Sequence, residues 1–199
     1  MKKFVLLFTV LFSVCFFGQS ADQKKIQEDS RAFVKYFQDK NYDGIFSATY
    51  PALFEKFDRD MLEGMFEQMF AGNAEFSTQI LADEGDRYEV SEIFQSKNGG
   101  KYAFVVYPSR FQMNFKKAQE KEAQDLMVKL MADAGISAVF TDATTLRADK
   151  SGMMVAINDK KTSGTWKYLN HDEGNAMYSS LLAEDIMKKA NEYYQKTVE

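Results

Sequence analysis

Cysteine, histidine, tryptophan and proline are nearly missing from this chain of 199 residues, which holds one Cys, one His, one Trp and two Pro. A lone Cys15 allows no disulfide within the chain, and a lone His171 excludes any zinc site that needs two histidines. No G-x-S-x-G elbow, P-loop, G-x-G-x-x-G or H-E-x-x-H is present, so the sequence motifs of α/β-hydrolases, nucleotide binders and zincins are all lacking. Positive charge is also in deficit. The 25 basic residues against 29 acidic ones give a net charge of −4, and no basic cluster interrupts that balance, which argues against nucleic acid as a partner. Beyond Phe17 no apolar run is long enough to span a bilayer, and the mean hydropathy is −0.39.

The one long apolar run lies at the start. Met1-Lys2-Lys3 is a basic lead, Phe4 to Phe17 is mostly apolar, and Gly18-Gln19-Ser20-Ala21 leads into polar sequence. This pattern predicts a cleaved secretory signal peptide over residues 1–20, followed by one domain over 21–199, with a periplasmic or secreted location. Lipidation at Cys15 would want a small residue before it, where Val14 stands. Cleavage removes the only thiol, so the exported domain must rely on its core. A content of 45% hydrophobic and 15% aromatic residues is adequate for that.

Helical spacing of Ile26, Phe33, Val34 and Phe37 predicts a helix over 22–40, a second short helix follows to Pro51, and a third carries the stripe Met61, Leu62, Met65, Phe66, Met69, Phe70. The stripe is expected to pack in the core. From Phe76 the period changes to two, with strands expected at 76–81 and across Tyr88 to Phe94. Asn98-Gly99 then signals a type I′ hairpin turn into a long strand. That strand is apolar on both faces as far as Tyr107. Beyond Pro108 it alternates, with Phe111, Met113 and Phe115 on one face and Arg110, Gln112 and Asn114 on the other. Pro108 has no N–H for a ladder, so an edge, bulge or bend is expected there. A helix over 117–134 follows, then strand-like stretches about a turn at Asp149 to Gly152, a strand around Trp166, and a last helix from about Asn175 carrying Leu181 and Leu182. Segregated helices and strands predict an α+β fold, a curved mostly antiparallel sheet packed against N-terminal helices, with an additional helix within the strand series and a C-terminal helix.

The order of elements resembles the NTF2-like (SnoaL-like) cone, and in particular secreted Bacteroidetes proteins of that type. The resemblance rests on Phe16-Phe17-Gly18-Gln19, on Asn41-Tyr42-Asp43-Gly44-Ile45-Phe46 leading to Tyr50-Pro51, and on Gly164-Thr165-Trp166-Lys167-Tyr168-Leu169. It implies a cone with a pocket between sheet and helices, on a fold that hosts isomerases, dehydratases and binding domains alike.

The candidate ligand-binding residues are Arg110, Gln112 and Asn114 as polar contacts, with Tyr107 and Trp166 as walls. Arg110 would grip a carboxylate. No catalytic residue, metal site or cofactor is indicated. The expected function is an exported, non-catalytic domain that binds a small molecule or peptide. The alternatives are a small isomerase or hydro-lyase of the ketosteroid-isomerase type, which needs a carboxylate buried beside a Tyr or Trp, and a homodimeric module that uses the exposed sheet face.

Overall fold

A computed structural model of the chain describes residues 19–171 and 180–197. Residues 1–18 of the expected signal segment 1–20 and the expected helix start at Asn175 lie outside the described residues. The fold is α+β. Three helices, α1 (Ala21–Gln38), α2 (Tyr42–Ala48) and α3 (Arg59–Ala71), precede strands β1 (Phe76–Leu81), β2 (Glu89–Val90), β3 (Phe94–Gln95) and β4 (Lys101–Phe115). Helix α4 (Lys121–Asp133) leads to β5 (Ser137–Asp142), β6 (Thr145–Asn158) and β7 (Lys167–Asn170), and α5 (Glu184–Thr197) closes the described chain. The seven strands form one antiparallel sheet in the order β1-β4-β6-β5, with β2 and β3 also on β4 and β7 on β6.

Two helical layers sandwich the middle of this sheet. On one face Ala103, Val105 and Tyr107 of β4 pack with Met154 and Ala156 of β6 against Ile26, Phe33 and Val34 of α1 and Ile45 and Phe46 of α2. On the other face Tyr102 and Phe104 pack with Met153, Val155 and Ile157 against Leu182, Ile186 and Ala190. Alternate residues of a strand point to opposite faces, so a strand covered on both sides must be apolar at every position. This explains the unbroken apolar run from Tyr102 to Val106. Beyond it α5 no longer covers the sheet, and the alternation begins.

Local chemistry sets the ends of the elements. Ser20 caps α1: its Oγ accepts from the Gln23 N–H at 3.1 Å, and the Gln23 side chain accepts from the Ser20 N–H at 2.9 Å. Asp58 caps α3 by accepting from the Asp60 and Met61 N–H groups. Gly72 ends α3 at φ 78 and ψ −170, a conformation only glycine adopts readily. A β-carbon there would lie 2.1 Å from the Phe76 carbonyl oxygen.

Several expectations are corrected. The strand expected across Tyr88 to Phe94 is broken into β2 and β3, because Ser91 Oγ, rather than a backbone carbonyl, accepts from the Phe104 N–H at 2.9 Å. The Asn98-Gly99 turn is not type I′, since Gly99 has φ 86 while Asn98 is not among the residues with positive φ. Ser96 N–H donates to the Gly100 carbonyl and Gly99 N–H to that of Ser96, the pattern of a three-residue loop with its left-handed residue last. Asp149 to Gly152 is not a turn but the middle of β6, paired with Tyr107 to Arg110. Gly152 belongs there because the Tyr107 ring lies over it: an added β-carbon would sit 3.1 Å from that ring and from Ser109. Leu181 and Leu182 precede α5 instead of lying within a helix. Met61, Met65 and Met69 are exposed, so only Leu62, Phe66 and Phe70 of the α3 stripe turn inward.

Pro108 lies at a gap in the sheet. Even-numbered residues of β4 direct their backbone groups toward β1 and β2, as the Phe104 and Lys116 hydrogen bonds show. On that side β2 ends its pairing at Val106 and β1 begins at Arg110. The missing donor of Pro108 therefore falls where no strand would have accepted from it.

Candidate ligand-binding site

Where the N-terminal helices bridge over the sheet beside this gap, they leave a hollow of about 250 Å³. Its roof is Phe33, Val34 and Phe37 of α1 with Phe66 and Met69 of α3. Its floor is Ile80 of β1, Tyr107, Ser109 and Arg110 of β4, and Asn170 of β7. The lining is mostly apolar and aromatic, with a few polar groups gathered on the sheet side. Phe37 packs edge-on against Phe33 and against Phe66, with ring centroids 5.2 and 5.5 Å apart, so the roof is held by aromatic contacts.

Tyr107 is the principal polar group of the floor. Its phenol donates to Asn170 Oδ1 at 3.1 Å, and its ring stacks on Tyr88 at 5.8 Å with planes only 10° apart. The Arg31 guanidinium covers Tyr88 at 4.8 Å. Burial, followed by the proximity of Tyr88, pushes the Tyr107 phenol well above the ordinary tyrosine range. It thus keeps its one proton, given to Asn170, at any physiological pH, which leaves the phenol oxygen to accept from a polar substituent rather than to act as a base.

Arg110 has a partner within the protein. Its guanidinium lies 2.5 Å from Asp86 Oδ1, and the Asp86 side chain is only 2% exposed. The second oxygen of Asp86 accepts from the Asp83 N–H at 2.9 Å. The Ala82–Tyr88 loop is thereby fastened over the gap at Pro108. Tyr107 and Arg110 also border a second hollow of about 360 Å³, rimmed by Asp86, Asp149 and Lys150. Asp86 is a buried carboxylate close to Tyr88 and Tyr107, and it is already engaged on both oxygens.

The remaining predicted residues lie elsewhere. Ile80 pairs with Phe111, so the face beneath the N-terminal helices carries Tyr107, Ser109, Phe111 and Met113. Arg110, Gln112 and Asn114 therefore belong by parity to the opposite face; Arg110 still borders both hollows because it stands at the gap in the sheet, and Gln112 and Asn114 line neither. Gln112 donates to Asn114 Oδ1 at 2.8 Å and accepts from Arg147 Nε at 3.1 Å, a polar ladder on the half-exposed side of the sheet. Trp166 is 5% exposed and belongs to the core beneath α1 and α2, not to the layer beneath α5 and not to the hollow. Of the five residues, the structure brings Tyr107 and Arg110 to one site. Sequence reasoning missed Asn170, Asp86 and the aromatic roof, although the inward stripe Phe33, Val34, Phe37 was visible. His171 is half-buried beside Tyr194 of α5, with ring centroids 4.9 Å apart. Compared with protein-family models the chain matches none, and no curated protein matches it.

Proposed function

We propose that this chain is an exported, non-catalytic binding domain of the NTF2-like kind, and that it holds a small, ring-sized, largely apolar molecule between α1, α3 and the sheet. The observation that carries this reading is the aromatic-roofed hollow of about 250 Å³ with the Tyr107–Asn170 pair on its floor. A cavity of ~150 Å³ accepts benzene, and drug-sized sites begin near ~300 Å³, so this volume suits one or two fused rings. The neutral phenol and amide favour an uncharged polar substituent such as a hydroxyl. Export rests on the residues before Ala21. The isomerase reading draws on Asp86, a carboxylate buried beside Tyr88. Its pairing with Arg110 and the Asp83 N–H makes it a structural anion first.

The test is a titration with 2-naphthol followed by amide chemical shifts, repeated with naphthalene. Binding should perturb Phe33, Ile80 and Tyr107. The variant M69W, at a lining residue that is 41% exposed, should fill the hollow and abolish binding without unfolding the chain. In Y107F the naphthol affinity should fall by about tenfold while naphthalene is unaffected. Absence of any binding, or binding indifferent to M69W, would refute the proposal.

A further inference from the structure

The sheet ends on a strand with little to protect it. The outer side of β5 pairs with no strand among the described residues, and Ser137-Ala138-Val139-Phe140-Thr141 contains neither charge nor proline. Exposed edges usually carry such devices, because a row of free backbone groups invites another strand. Val139 is 58% exposed on this edge. The only irregularity is a register shift between Phe140 and Asp142, at the far end of the strand.

Helix α4 packs along the same strand. Its exposed surface carries a row of alternating charge at four-residue spacing, Lys121, Asp125, Lys129 and Asp133, all with side chains 60–76% exposed and joined within the helix as the solvent-exposed pairs Lys121–Asp125 and Lys129–Asp133, which a second copy can extend into one ladder. An alternating row of this kind is its own complement when reversed. Set antiparallel to a second copy about Met127, Lys121 faces Asp133 of the copy and Asp125 faces its Lys129.

The same symmetry operation serves the strand. Helix and strand are joined by a tight reversal, in which the Gly135 N–H bonds to Ala132 and the Ile136 N–H to Met131, so α4 runs back along β5. Met127 lies seven residues before Ala134, about 10 Å along a helix. Val139 lies three residues after Ile136, also about 10 Å along a strand. One two-fold axis normal to the sheet can therefore pass both midpoints. It sets Val139 against Val139 of the copy and Ala138 against Phe140, with no like charges opposed.

We propose that the β5–α4 edge is a self-association surface, and that a second copy of this chain joins edge to edge through β5 while the charged rows of the two α4 helices interlock. This is independent of the hollow beneath α1 and α3.

Sedimentation velocity over a wide dilution series should show a monomer–dimer equilibrium. The variant K121E/K129E makes the row wholly acidic and D125K/D133K makes it wholly basic. Each alone should weaken the dimer by at least about tenfold, and mixing the two should restore association as a heterodimer. V139K, which opposes two lysines on the axis, should weaken it as well. Circular dichroism controls for folding, which these exposed positions should leave intact. A wild-type chain that remains monomeric at every concentration overturns the proposal. So does a dimer that none of the three variants weakens.

Discussion

Asp86 and Arg110 should respond unequally to removal, and the inequality follows from their burial. The Asp86 side chain is 2% exposed and that of Arg110 is 37% exposed. Replacing Arg110 by Met strands a carboxylate that keeps only the Asp83 N–H as partner. An uncompensated buried charge costs roughly 3–5 kcal/mol, and the partial exposure of Arg110 lets water offset part of this, so about 3 kcal/mol is expected. Replacing Asp86 by Asn leaves an acceptor for the Asp83 N–H and a guanidinium that can turn to solvent. About 1 kcal/mol is expected there. In the double variant D86N/R110M the stranded charge no longer exists, so the total should be smaller than the two separate losses combined by about 2 kcal/mol. Urea unfolding followed by circular dichroism, with unchanged m-values, measures all three. If D86N costs as much as R110M, or if the losses add, the pair is not acting as a buried ion pair and the fastening of the loop must lie elsewhere.

Three further outcomes are expected. G72A should lose at least about 3 kcal/mol in the same assay, because the φ 78, ψ −170 conformation and the 2.1 Å approach to the Phe76 carbonyl leave no room for a methyl group. D58A should cost about 1 kcal/mol by removing the acceptor of the Asp60 and Met61 N–H groups, while D58N should retain most of the stability. Burial, and then the Asp86 charge, push the Tyr88 phenol up to about 12, above the ordinary value near ~10. The folded chain thus keeps a proton that the unfolded chain gives up. Stability should be complete below pH ~10 and decline as pH rises toward about 12, and Y88F should flatten that decline in alkaline unfolding curves.

Much of the fold was legible because burial on two faces leaves a mark that burial on one does not. The apolar run from Tyr102 to Val106 and the switch to alternation after Pro108 record where α5 stops covering the sheet. The helix stripes were legible for the same local reasons, whereas Ser20 reads in the sequence as the end of the signal segment and only the structure makes it a cap. Asp149-Lys150-Ser151-Gly152 was misread because its composition is that of a turn. Only its partner strand, with the Tyr107 ring lying over Gly152, explains a glycine in mid-strand. The exposed Met61, Met65 and Met69 show a further limit: apolar spacing marks a helix face but not what covers it.

The site was half legible, and the missing half was a matter of parity and distance. Tyr107 and Gln112 stand five residues apart on a regular strand, so they cannot share a face. Tyr107 belongs with Phe111 and Met113, and the sequence alone could have separated it from Gln112 and Asn114. Arg110 shares their parity and differs in standing at the gap, where its partner comes from a loop whose Asp83-Glu84-Gly85-Asp86 reads only as solvent-exposed polar sequence. Nothing local indicates that one of those carboxylates is buried. It becomes necessary once β1 and β2 are seen to leave β4 unpaired at Pro108, because the loop that crosses this gap needs an anchor. Arg110 supplies it, two positions past the proline that has no N–H to donate and three from the phenol that forms the floor of the hollow. The gap, the ion pair and the hollow are therefore parts of one arrangement. Weakening the Asp86–Arg110 pair should loosen the sheet side of the hollow before it unfolds the domain, which hydrogen exchange at Tyr88 and Val90, compared between wild type and D86N, would register as faster exchange there than in α5.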